Sequence, residues 1–144
     1  MTQVSKKFLR REIEAKVYQT FWETIVKTNK TEEASAFFSE FFSKSEKVNF
    51  AKRLSIAVLL HKAYGWREIS DMLKVSLTTV AKVATKKDSK GFKIFFDRVD
   101  KDEAWQAFWK DLAKTYLALT HPEKYARLGS EGVEAVYFGK KKTL

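Results

Sequence analysis

The chain of 144 residues has no cysteine, a single proline and only five glycines. Without cysteine there are no disulfides, no thiolate metal sites and no cysteine nucleophile. So few Gly and Pro leave too few turn formers for many short strands, and long helices are expected instead. The two histidines, His61 and His121, lie far apart in the sequence and form no recognisable ligand cluster. No phosphate-cradling Gly-rich loop, nucleophile elbow or zinc spacing occurs, so no catalytic residue, metal or cofactor is expected. No apolar run approaches the ~20 residues of a membrane span. The segment MTQVSKKFLRRE also lacks the apolar stretch of a signal peptide. These absences together lead us to expect a soluble cytoplasmic protein that is not an enzyme and has no membrane partner.

What is present is apolar mass and positive charge. Hydrophobic residues make up 44% and aromatic residues 15%, enough for a packed core in a chain of this length. The net charge of +10 is unevenly spread. Residues 44–91 hold eleven Lys/Arg against four Asp/Glu, compared with seven against six before them and ten against eight after. A basic middle third suits a polyanion, although solvated faces, RNA and anionic membranes share that signature.

Periodicity then divides the chain. Val4, Phe8, Ile13, Val17, Phe21 and Ile25 recur at helical spacing up to a polar break at residues 28–30. Thr31 reads as the N-cap of a helix with Glu32 and Glu33 in its first turn and Phe37, Phe38, Phe41 and Phe42 along it. Ser43 and Glu46 fit a capping box. Phe50, Leu54, Ala57, Val58 and Leu60 form an apolar stripe behind it, with Gly65 as the expected stop. Asp88–Gly91 reads as a loop, and the run Phe92, Ile94, Phe95, Phe96, Val99 fits either a helix or a strand. Trp105, Phe108, Trp109, Leu112, Tyr116 and Leu119 share one helical face, which His121-Pro122 ends. The tail through Gly129, Gly132 and Gly139 to Lys140, Lys141 and Lys142 reads as irregular. The acids Asp97, Asp100, Asp102, Glu103 and Asp111 alternate with Lys and Arg, as solvated helix caps do, and His61 is expected at or near the surface.

The segment from Trp66, WREISDMLKVSLTTVAKVAT, carries the sharpest pattern. A helix-turn-helix needs apolar residues at its positions 4, 8, 10, 15 and 18 to hold two helices together, and a small one at position 5 where they cross. With Trp66 as position one these are Ile69, Leu73, Val75, Val80 and Val83, with Ser70 at the crossing. The turn position usually given to glycine is Lys74, at some conformational cost. Ser76 stands where the second helix should begin and can cap it. With Val80 and Val83 inward, Leu77, Thr78, Thr79, Ala81, Lys82 and Thr85 lie on or beside the face a recognition helix offers to the major groove. Lys86, Lys87 and Lys90 continue a basic surface suited to phosphates.

The stretch from Phe42 to Val83 resembles the tryptophan-repressor family. The Ser43/Glu46 cap, the Lys52-Arg53-Leu54 region and the Trp66-to-Val83 motif carry the likeness. The resemblance implies an all-α, intertwined homodimer whose long N-terminal helices wrap the partner subunit. It also implies an arginine before the motif and an arginine-glycine pair on the recognition helix around a corepressor. Arg53 matches the first, whereas Lys82 and Val83 stand where the pair would be. Arg53 and Lys82 thus mark a candidate effector pocket, and tryptophan itself is not expected to fill it.

The resulting expectation is an all-α homodimeric regulator, most simply a repressor, that binds duplex DNA through a helix-turn-helix over residues 66–85, with the recognition helix at 77–85. Residues 1–90 would form the DNA-binding domain, and residues 91–144 an aromatic helical extension packed on it. The rival reading is an RNA-binding or protein-docking adaptor using the same basic helices.

Overall fold

Charge and capping set where the helices begin. In the computed structural model, which describes residues 7–129, the chain is all-α, with eight helices and no strand among the described residues. They are α1 (Arg11–Lys27), α2 (Thr31–Phe41), α3 (Lys44–His61), α4 (Trp66–Leu73), α5 (Leu77–Ala84), α6 (Lys90–Val99), α7 (Glu103–Thr120) and α8, over residues 122–129. Val4 and the tail beyond Gly129 lie outside the described residues. The chain divides into one unit that ends at Asn49 and another that starts at Phe50.

In the first unit, α1 starts later than the apolar spacing suggests, and Phe8 precedes it fully exposed. Lys7, Arg10 and Arg11 are basic where a helix N-terminus is already partly positive. Glu12 and Glu14 in the first turn have the favourable sign, so the helix begins with them. Similarly, α2 opens on Thr31 itself, and Lys30 holds the extended flanking position expected of Thr31. The Ser43 box forms: the Ser43 amide donates to Glu46 Oε2 at 2.9 Å, and the Glu46 amide donates to Ser43 Oγ at 3.3 Å. On α2, the ring pairs Phe37/Phe41 and Phe38/Phe42 stack with centroids 5.5 and 5.3 Å apart. Neither α1 nor α2 has a buried residue, and Val17, Tyr18, Trp22 and Val26 are each more than half exposed.

The second unit holds the core. Ile56, Ala57, Val58 and Leu59 on α3 are no more than 3% exposed, so this half of the helix is enclosed on all sides. Their cluster includes Tyr64, Ile69, Val80, Val83, Phe96 and Trp109. The stripe read from sequence is therefore corrected. Phe50 and Leu54 stay exposed, because the core closes on the later turns, while Ile56 and Leu59 join it.

Helix α3 ends at His61, four residues before Gly65. Ala63 takes the left-handed conformation at φ 64°, the Tyr64 amide donates to Leu59 O and the Ala63 amide to Leu60 O, both at 3.0 Å. This Schellman ending brings Tyr64 and Leu59 into the core together. Gly65 instead precedes α4, with φ −69°.

The ambiguous aromatic run is helical. Helix α6 starts at Lys90, inside the stretch expected as a loop, and carries Phe92, Phe95, Phe96 and Val99 inward while Ile94 stays exposed. Asp102 caps α7, its Oδ1 accepting from the Trp105 amide at 3.0 Å. The inward row of α7 is Trp105, Trp109, Ala113 and Leu117, a four-residue spacing turned from the expected stripe. Phe108, Leu112 and Leu119 are exposed. Pro122 ends α7 and then opens α8, where its missing amide costs nothing.

Two polar links join α3 to the later helices. The His61 ring stacks on Phe96 at 3.9 Å and its Nε2 lies 2.8 Å from Asp100 Oδ2. Lys62 Nζ donates to Gln106 Oε1 at 2.7 Å. Burial pushes the Lys62 ammonium below the usual lysine range; the charge of Asp100 opposes that shift, and Lys110 adds to it.

Because Phe96 and Trp109 share one cluster with Val80, α7 is expected to be needed for the fold of the helix-turn-helix unit. Trp109→Ala should cost ~3–5 kcal/mol by cavity formation, and Phe108→Ala less than about 1 kcal/mol. Urea unfolding midpoints of the two variants check this.

Candidate nucleic-acid interface

The helix-turn-helix is assembled from its ends inward. Before α4 the Gly65 amide donates to Glu68 Oε2 at 2.9 Å. A Cβ at position 65 would sit 3.2 Å from that oxygen, so glycine makes room for the carboxylate. Helix α4 stops at Lys74, whose φ of 51° and ψ of 56° place it in the left-handed region. Lysine therefore adopts the conformation for which glycine is usual. The Lys74 and Val75 amides both donate to Ser70 O.

Side chains complete the turn. Ser70 Oγ donates to Val75 O at 2.6 Å, so the small residue at the helix crossing also anchors the turn. Lys52, reaching from α3, donates through Nζ to Lys74 O at 3.3 Å. One residue later Ser76 caps α5, its Oγ accepting from the Thr79 amide at 3.1 Å and lying 2.8 Å from Thr79 Oγ1. Ile69 and Val80 are fully buried, Val83 is buried, and Leu73 and Val75 are packed against the cluster. All six motif positions thus do what their spacing requires.

The remaining face of α5 meets solvent. Ser76, Leu77, Thr78, Thr79 and Lys82 are exposed, and Ala81 is half-buried. Helix α5 ends at Ala84, one residue short of the expected 85. Thr85 turns its hydroxyl back to Lys82 O at 2.9 Å. Lys86 and Lys87 lie just past that end, and Lys90 and Lys93 in the first turn of α6; all four are exposed. Leu77, Thr78, Thr79 and Lys82 are the exposed side chains along the helix itself, and Thr79 and Thr85 spend their hydroxyls within the motif.

Arg53 and Lys82, the expected effector pair, are both exposed. The Arg53 guanidinium lies over the Phe50 ring, 5.9 Å from its centroid, and the α3 cation that reaches the motif is Lys52. Val83 turns its isopropyl group into the core. Lys52 had a legible signal: it precedes Ile56 by four residues and Leu59 by seven, on the α3 face that enters the core. Among the described residues no three potential metal ligands cluster, and no helix is long and apolar enough to cross a membrane.

Two short helices locked through Ile69, Leu73, Val75, Val80 and Val83, with a capped and exposed second helix, define a helix-turn-helix protein. The family model described as Trp repressor protein matches residues 16–100, from within α1 through α6. The chain belongs to the Trp repressor family, a regulatory family of DNA-binding proteins rather than enzymes. All of α7 and α8 lie beyond the match. No curated protein and no solved structure matches the chain.

Since Ser76 satisfies the Thr79 amide in the first turn of α5 from an exposed position, Ser76→Ala should cost about 1 kcal/mol. Ser76→Gly should cost only a few tenths. Thermal unfolding of the two variants at neutral pH provides the comparison.

Proposed function

We propose that the protein is a sequence-specific repressor that binds double-stranded DNA as a homodimer. The observation that carries this reading is α5 itself, anchored by Val80 and Val83 and capped by Ser76, with Leu77, Thr78 and Lys82 directed to solvent beside the basic end of the motif.

In this reading α5 lies in the major groove with its N-terminal residues at the base edges. Thr78 offers a hydroxyl to a base and a methyl to thymine, and Leu77 and Ala81 make apolar contact with a thymine methyl. Lys82 reaches a guanine edge or a phosphate. Ser76 and Thr85 border the helix, Thr79 lies in its first turn, and Lys86 and Lys87 neutralise phosphates, fixing register without reading sequence. A dimer seated on the duplex represses by excluding other proteins from it.

Dimerisation is supported by the first unit. Helices α1 and α2 bury none of their residues, and so long an apolar face is stable in water only when covered. A second copy supplies the cover. Two recognition helices then meet half-sites ~34–36 Å apart, one turn of duplex. Residues 1–90 would carry binding and pairing, with the later helices as a brace.

The corepressor is not tryptophan. Val83 fills with core packing the place where the family resemblance puts glycine beside an indole, and Lys82 lacks the planar guanidinium that would stack on it. Arg53 leaves room for a different anionic effector.

Three outcomes check the proposal. Thr78→Ala should relax specificity by ~1–3 kcal/mol at one base position, while Lys86→Ala weakens all duplexes alike and lowers the salt slope by about one unit. Unchanged duplex affinity after Thr78, Lys82, Lys86 and Lys87 are all replaced by alanine, or a preference for RNA at equal salt, would overturn DNA recognition. Sedimentation should show a dimer at micromolar concentration that Trp22→Asp disrupts; a folded monomer that binds one half-site as tightly as the full site would contradict pairing. Titration with L-tryptophan should give neither heat nor a tighter DNA complex.

A further inference from the structure

The α4–α5 turn places a lysine in the left-handed conformation directly before the helix that faces solvent. Side chains with a Cβ enter that region at a cost, and elsewhere in the unit the same conformation at Ala63 is held by a full Schellman ending whose flanking residues are buried. At Lys74 the neighbouring backbone is held too, since the Lys74 and Val75 amides share Ser70 O and Val75 O takes the Ser70 hydroxyl. The Lys74 carbonyl is different, because its partner comes from outside the motif: Lys52 Nζ of α3, 22 residues earlier in the chain.

That bond has a directional consequence. The Lys74 carbonyl belongs to the peptide joining Lys74 to Val75, so its orientation sets the exit path of the chain toward Ser76 and the first turn of α5. If Lys74 moved to a right-handed or extended conformation, this carbonyl would swing away from α3 and lose the ammonium. The same α3 face carries Ile56 and Leu59, which are buried in the cluster with Val80 and Val83 of α5. Lys52 thus links the α3 face that enters the core to the turn through one hydrogen bond. A cation is also favoured by charge at that point, beside the partly negative C-terminus of α4.

We infer that Lys52 is a positioning residue for DNA recognition: it holds the left-handed Lys74 turn and thereby sets the placement of α5, without itself touching DNA. This rests on the proposal that α5 reads duplex DNA. It goes beyond that proposal by assigning a role to a residue outside the motif and outside the exposed face. It also accounts for how lysine stands where the motif usually has glycine, since the residue at position 52 supplies an external restraint that glycine would not require.

The test is a double-mutant cycle in the full chain, with Lys52→Met, Lys74→Gly and the pair together, read by thermal unfolding and by duplex affinity over a range of salt. Lys52→Met should weaken duplex binding about tenfold and lower the unfolding midpoint, with the slope of log affinity against log salt unchanged. In the Lys74→Gly background, where the turn adopts its conformation unaided, the same Lys52→Met change should cost less than about threefold and leave the midpoint nearly still. Equal losses in both backgrounds would overturn the inference, because the effect of Lys52 would then not pass through the turn. A salt slope reduced by about one unit in Lys52→Met would also overturn it, by showing that the ammonium neutralises a phosphate directly. If the unaltered protein failed to bind duplex DNA at all, the functional proposal would fall. The coupling between positions 52 and 74 in the unfolding midpoints would still decide whether Lys52 holds the turn.

Discussion

Ile56, Ala57, Val58 and Leu59 are consecutive, and on a helix four consecutive residues point in four directions around the axis. Keeping all four from water requires neighbours on every side, and the second unit is arranged to supply them. Helices α4 and α5 contribute Ile69, Val80 and Val83, α6 contributes Phe96, and α7 contributes Trp109. At roughly 25 cal/mol per Å² of apolar surface removed from water, this enclosure stabilises the unit substantially. The placement of α4 and α5, and with it the exposed face of α5, depends on it, because Ile69, Val80 and Val83 are held in this cluster. The polar links His61–Asp100 and Lys62–Gln106 lie at the rim of the same core and tie the end of α3 to the later helices.

The first unit poses the opposite problem. It has apolar side chains in helical register and no interior in which to place them, so α1 and α2 contain no buried residue. The exposed apolar register of α1 and α2 is the feature that the proposed pairing with a second copy would cover. Family membership sets the chain among regulatory DNA-binding proteins. In the proposed function the division of labour is physical: the enclosed unit would fix the reading surface, and the open unit would offer what a second copy covers.

Much of this was legible in the sequence, and the helix-turn-helix most of all. Its requirement is a set of fixed spacings, and Ile69, Ser70, Leu73, Val75, Val80 and Val83 satisfy every one. Ser76 and Ser43 were readable as caps for the same reason, since each acts on backbone two or three residues away. What escaped depends on neighbours distant in sequence. Nothing local distinguishes a helix from a strand in Phe92–Val99; packing of Phe96 on His61 does. The stripe on α7 was read as Trp105, Phe108, Trp109, Leu112, Tyr116 and Leu119, but burial follows the small Ala113 and Leu117, where close approach is sterically allowed. Gly65 looked like the stop of α3, yet Ala63 adopts the left-handed conformation because burying Tyr64 and Leu59 favours that ending. Arg53 drew attention through family likeness, whereas Lys52 makes the contact that joins α3 to the turn.

The central claim is that α5 reads a particular duplex sequence. Selection from a pool of random duplexes with the full chain at fixed salt, followed by sequencing over successive rounds, tests it most directly. The account predicts enrichment of one two-fold symmetric site whose halves are separated by a full turn of the double helix. A pool that stays random while binding persists would contradict it, because basic side chains alone would then account for the affinity.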